Sequence, residues 1–247
     1  MLSKTIVKYI QSLHLKKFRD EHGVFIAEGP KVVNDLLTSK QFVCKIICAV
    51  ESWLNENEGL LQSFSVEDKL MTNQFELEKI SLLQTPNKVV AIFYQRKYES
   101  GNLKNTISLI LDEIQDPGNM GTIIRTADWF GIKNIVCSED CVDCYNPKVV
   151  QSSMGSLGRV NIIYNDLGKF ISDNKDINLY AATLTGTSLY TFNKIKEGII
   201  LIGNESKGIN NELLKDVREQ ITIPKLGEAE SLNAAVATGI ILSHIIK

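Results

Sequence analysis

A chain of 247 residues, 44% apolar and 23% charged, has room for one large domain or two small ones and the make-up of a globular protein. No apolar run approaches the ~20 residues that a bilayer span needs, and an odd set of five scattered cysteines argues against a disulfide framework. A net charge of −2 gives no compositional support for a nucleic-acid partner, and Lys4, Lys8, Lys16, Lys17 and Arg19 break up Met1–Asp20 too often for a signal peptide, which points to the cytoplasm and to no membrane role.

In chain order, Ile6, Val7, Ile10 and Leu13 fit one amphipathic helix over 6–17. The five bases in the first nineteen residues, with no acid among them, suit either a solvated helix face or a phosphate-contacting patch. Val24–Ala27 reads as a short strand, Pro30 suits the first turn of a helix through Leu37, and Val43–Val50 reads as a strand. Asn73 and Glu76 have the spacing of a capping box. After the apolar run Val89–Tyr94, the polar stretch 95–105 marks a boundary between a small α/β domain, 1–98, and a larger one, 104–247.

The second domain offers five strands: Ile107–Leu111, Asn134–Cys137, Asn178–Leu184, Gly198–Ile202 and Gln220–Ile223. Helical patterns separate them, which predicts an α/β fold with a parallel sheet covered on both faces. A helix is expected from near Asn119, with Met120, Ile123, Ile124, Ala127 and Phe130 as its buried stripe and Arg125 off it. The last helix, Leu232–Ile246, is apolar almost all round, so it is either deeply buried or packed on another subunit.

Three segments follow strand-like runs and are dense in small polar residues: Asp116-Pro117-Gly118-Asn119-Met120-Gly121 with Arg125-Thr126-Ala127, Gly203-Asn204-Glu205-Ser206-Lys207-Gly208, and Ile223-Pro224 with Glu230-Ser231-Leu232-Asn233. Loops at the carboxyl ends of parallel strands are where α/β sheets bind ligands. Each segment also has a plain structural role. Arg125 can pair with Asp128, Glu205 can sit in a first helical turn, and Ser231 can cap the last helix. Cys137-x3-Cys141-x2-Cys144 has the spacing that holds a [4Fe–4S] cluster in radical S-adenosylmethionine enzymes, but Cys137 closes a strand and is more simply a small buried hydrophobe. The three histidines are too scattered for a local metal site, so no metal is expected.

At these residues the chain resembles the SpoU (TrmH-like) family of RNA 2′-O-ribose methyltransferases, in the SPOUT superfamily. The three segments look like that family's three motifs, in order. Pro147-Lys148-Val149-Val150 and Ser153-Met154-Gly155-Ser156-Leu157 are similar to its stretch between the first two. Phe25-Ile26-Ala27-Glu28-Gly29 resembles the start of its N-terminal, ribosomal-protein-like substrate-binding domain. Ala235 stands where many members have Ser.

The resemblance implies a deep trefoil knot, S-adenosylmethionine as the methyl source, a homodimer whose active site uses both chains, and RNA as substrate. Ribosomal RNA is favoured because the substrate-binding domain is present; transfer RNA, or a non-catalytic RNA-binding protein keeping the fold, are the alternatives. By family analogy Asn119, Arg125, Glu205, Ser231 and Asn233 are catalytic, with Asn119 and Glu205 positioning Arg125. Cofactor contacts fall to Thr183, Leu184, Gly203, Asn204, Ile223, Leu226, Ser231 and Leu232. A guanidinium stays protonated, so Arg125 suits gripping a phosphate and stabilising charge on the reacting oxygen.

Overall fold

The computed structural model describes residues 2–99 and 101–246; Ser100 of the expected linker lies outside the described residues, as do Met1 and Lys247. The elements are α1 (Lys4–Ser12), α2 (Lys16–His22), β1 (Val24–Glu28), α3 (Pro30–Thr38), β2 (Cys44–Val50), α4 (Glu51–Glu56), α5 (Glu58–Ser63), β3 (Val66–Thr72), α6 (Gln74–Ile80), β4 (Val89–Tyr94), β5 (Ile107–Leu111), α7 (Pro117–Trp129), β6 (Asn134–Cys137), α8 (Pro147–Ser152), β7 (Asn161–Tyr164), α9 (Leu167–Asp173), β8 (Leu179–Ser188), β9 (Gly198–Ile202), α10 (Asn211–Leu214), β10 (Glu219–Thr222) and α11 (Ala234–Ile245). They form two compact units. The first holds the chain up to Lys97 together with Asp143–Arg159; the second holds Tyr98–Val142 and the chain from Val160 onward.

The first unit carries a four-stranded sheet in the order β1-β4-β2-β3. Ile10, Leu13, Val24, Ile26, Leu77, Ile80, Val90 and Ile92 form the core on one face. The single helix expected over 6–17 is two helices. The break exposes carbonyls, and the buried Arg19 folds back to satisfy them: its Nη1 donates to Leu13 O at 3.1 Å and to His14 O at 3.0 Å. Its Nη2 donates to Asp143 Oδ2 at 2.6 Å. The capping box of α6 forms as the spacing implied, with Asn73 and Glu76 each bonding the other's backbone amide.

Asp143–Arg159 joins this unit through aromatic packing as well as charge. Tyr145 stacks on Phe25 with ring centroids 4.8 Å apart, and Phe25 stacks on Phe93 at 5.6 Å. Large rings of this kind dominate local core energetics. Strand β3, at one edge of the sheet, was not expected from sequence because Glu67, Asp68, Lys69 and Met71 all face solvent and leave no apolar alternation.

The second unit carries a six-stranded sheet in the order β10-β8-β9-β5-β6-β7, every pairing parallel. The five expected strands are present, β7 adds a sixth at one edge, and β8 runs on to Ser188. Ile110, Val136, Leu179, Leu201, Ile209 and Phe170 belong to one core cluster of the unit, while α7 and α11 pack against one another. The chain builds outward from β5 through β6 to β7, then returns to place β8, β9 and β10 on the other side. β5 and β9 are therefore neighbours where the winding reverses, and ligands of open α/β sheets bind at the carboxyl ends beside such a point.

Removing one member of a buried ion pair leaves an uncompensated charge, whereas an exposed pair is worth little. Arg19 is 2% exposed, while Lys88 and Glu56 pair at 3.5 Å in solvent. Asp143→Ala should therefore cost about 3 kcal/mol in urea denaturation, and Lys88→Ala should leave the midpoint almost unchanged.

Candidate active site

Strand β5 leaves the sheet through Asp112–Asp116. Asp112 is buried, and burial pushes its carboxyl pKa up, against the opposing pull of the Asn210 amide that donates to Oδ2 at 2.8 Å. Asp116 Oδ1 accepts from the Asn119 amide at 2.8 Å and Pro117 fills the first turn, so α7 starts two residues before the expected position. Met120, Ile123, Ile124 and Ala127 are buried as the stripe required, but Phe130 lies past the helix end as its C-cap and is only half-buried, and Arg125 is exposed. Among the described residues the Arg125 side chain makes no hydrogen bond or ion pair, with Asn119 and Glu205 or with any other group.

Strand β9 leaves through Gly203–Gly208, which is a closed loop rather than the first turn of a helix. Asn204 and Gly208 exchange backbone hydrogen bonds at 3.0 and 2.9 Å, and Asn204 Oδ1 accepts the Ser206 and Lys207 amides at 2.8 and 3.0 Å. A Cβ on Gly203 would stand 2.5 Å from the Gly208 carbonyl, so only glycine permits this closure. Half-buried Glu205 sits in the loop.

Three loops then meet through side chains. Asn119 Nδ2 donates to Glu205 Oε1, and Asn233 Nδ2 donates to Asn119 Oδ1 at 2.8 Å. Asn233 Oδ1 accepts the Ala235 and Val236 amides at 3.0 and 3.2 Å. The α11 amides fix the orientation of Asn233, Asn233 fixes that of Asn119, and Asn119 presents a donor to the Glu205 carboxylate. Asn233, not Ser231, caps the last helix, which starts at Ala234 rather than Leu232. A side-chain acceptor one residue before the helix reaches its second and third amides; Ser231 lies too far upstream.

Of the remaining expected residues, Thr183 and Leu184 lie within β8 and the others on the segments after β9 and β10. Thr183 Oγ1 donates to Gln220 Oε1 at 3.3 Å, and Thr222 Oγ1 donates to Leu184 O at 3.1 Å, which ties the long β8 to β10. Leu184 and Leu226 are 74% and 97% exposed, Leu232 and Ser231 are exposed, and Ile223 is half-buried. Asn204, expected at the cofactor, has its side chain engaged in closing its own loop. Asp112, Glu113 and Lys207 contribute at the site without having been singled out: Glu113 bonds Lys207 and Asn204, partners more than ninety positions away that carry no local signal.

Residues 106–243 match the SpoU rRNA Methylase family, and residues 4–91 match the MRM3-like substrate binding domain. The chain belongs to the SpoU rRNA methylase family. It is 29% identical over 243 residues to the 23S rRNA (guanosine(2553)-2'-O)-methyltransferase RlmP of Bacillus subtilis, across 97% of this chain and 95% of that one. Its structure is similar to that of an AdoMet-bound rRNA methyltransferase from Sinorhizobium meliloti, with TM-score 0.88 and 32% identity over 99% of this chain and 96% of that one. A TrmH-family protein from Porphyromonas gingivalis gives TM-score 0.86 at 32% identity, over 100% and 98% of the two chains. The SpoU region contains all three meeting loops. No group of three or more His, Cys, Asp or Glu side chains suited to a metal occurs among the described residues. Cys141 in particular is buried, its Sγ donating to Leu111 O and accepting from the Ile114 amide, both at 3.3 Å.

Capping and relay functions of Asn233 can be separated. Asn233→Ala loses both, and should cost about 1 kcal/mol of stability. Asn233→Asp keeps an oxygen for the α11 amides and should melt close to the native protein while losing the donor to Asn119. Thermal unfolding of the two variants checks this.

Proposed function

We propose that this SpoU methylase transfers the methyl group of S-adenosylmethionine to a ribose 2′-hydroxyl of ribosomal RNA. The observation that carries it is the Glu205–Asn119–Asn233 chain, assembled from three separate loops beside the reversal of the sheet. The nature of the relatives and the family match support the same chemistry.

The residues present fit the methyl donor. Leu184 in β8, and Leu226 and Leu232 on the segment after β10, are exposed apolar side chains beyond the sheet core, as a ligand's apolar parts require. Thr183, Leu184, Gly203, Ile223, Leu226, Ser231 and Leu232 would hold it. When bound, it supplies a methyl group already activated on a sulfonium. What is left to the protein is alignment and charge. Glu205, locked by Asn119, is an acceptor of fixed direction for a ribose hydroxyl. Arg125, whose side chain has no partner among the described residues, is available to an RNA phosphate and to charge developing on the attacking oxygen.

The N-terminal domain, 1–98, would bind the RNA, and 104–247 would carry the chemistry, with the deep trefoil knot that the family resemblance implies at the C-terminus. We read the working form as a cytoplasmic homodimer. Val236 and Ile240 lie one turn apart on the exposed side of α11, and Trp129 at the end of α7 is 85% exposed. Large exposed apolar side chains on these two helices are surface that a second chain would cover.

Calorimetry should show binding of S-adenosylhomocysteine without added metal, and labelled methyl should appear in unmodified ribosomal RNA. Arg125→Ala should abolish that transfer while changing cofactor affinity by only a few-fold. Equal loss of binding and turnover would remove Arg125 from the acceptor side, and a native protein that binds no cofactor would end the methyltransferase reading.

A further inference from the structure

We propose that Glu113 is a positioning residue for Glu205, acting through Lys207 and Asn204 on the loop that carries it; this rests on the methyltransfer reading above. Glu113 lies outside the three segments that mark the family.

Its backbone is in the left-handed region, at φ 54°, which a non-glycine residue rarely adopts. Such an outlier at a site calls for contacts that hold it. Those contacts are present on every side. The Glu113 amide donates to Ser138 Oγ at 2.9 Å, and its carbonyl accepts from Asn204 Nδ2 at 2.8 Å. Its carboxylate pairs with Lys207 Nζ. The preceding Asp112 takes the Asn210 amide at 2.8 Å. The end of β5 thus grips residues 204, 207 and 210, on both sides of Glu205.

Turning Glu113 into the left-handed region is what aims its carbonyl and carboxylate at the same loop. The ion pair with Glu113 raises the Lys207 pKa, with Asp140 and Asp112 adding to the field. Asn204 Oδ1 then carries the restraint into the loop by holding the Ser206 and Lys207 amides. Without the clamp, Asn119 alone would have to hold Glu205 in direction.

Glu113→Gln and Lys207→Met should each lower kcat for methyl transfer to unmodified ribosomal RNA transcript by roughly two- to fivefold, as expected for one partly exposed ion pair. Affinity for S-adenosylhomocysteine should stay within about twofold, because the clamp orients an acceptor and does not line the apolar loops. The double variant Glu113→Lys with Lys207→Glu should recover most of the lost kcat. Amide exchange at residues 205–208 should quicken in both single variants and slow again in the double. Native kcat and native exchange in the single variants would overturn the proposal, as would a loss that the swap does not repair. If the native chain transfers no methyl group, the proposed reaction fails, while exchange still reads the clamp.

Discussion

The adjacency of β5 and β9 is the constraint on which the site depends. These strands are far apart in sequence, and their exits carry Asn119 and Glu205. Parallel pairing from Ile107 with Gly198 to Leu111 with Ile202 ends both strands at one level, so the two loops leave the sheet side by side. The Asn119–Glu205 bond, the Asn204 bond to Glu113 O and the Asn210 bond to Asp112 all follow from that register. A slip of one residue would turn every side chain of β9 to the other face and separate these partners.

The polar network is built so that each member fixes the next. An asparagine has a donor end and an acceptor end, and only one orientation of Asn233 satisfies the α11 amides. That orientation propagates through Asn119 to a carboxylate. Preorganised polar groups of this kind lose little on reorganisation when charge develops beside them. Leu184, Leu226 and Leu232 have the opposite character: they are exposed apolar side chains that offer contact area rather than direction.

In the first unit the corresponding constraint is Arg19. It satisfies the carbonyls left by the break between α1 and α2 and at the same time pairs with Asp143, so a local kink and a long-range contact are served by one side chain. Tyr145 then seats on Phe25 and brings the short helix α8 onto β1. The polar boundary near residue 100 is real as a composition shift, yet the compact units also exchange chain at 143–159. Composition marks where a chain is polar, not where it crosses between cores.

The strands with strong apolar runs, both glycine-rich loops and the buried stripe of α7 were legible in the sequence because they depend on neighbours within a few positions. β3 was not, since an edge strand with a solvated face carries no alternation. The break at Leu13–Leu15 was not either, because the group that satisfies its carbonyls, Arg19, is itself held by Asp143, 124 positions away. Family membership and the identity of Asn119, Glu205 and Asn233 as one site came from motif order. What only the tertiary structure decided was the wiring: that Asn233 rather than Ser231 caps α11, that Asn204 closes its own loop, and that Glu113 meets Lys207. The first two are local bonds whose choice of partner depends on where the loop and the helix settle, whereas Glu113 and Lys207, 94 positions apart, meet only because β5 and β9 pair, and that strand order is set by packing of the whole sheet.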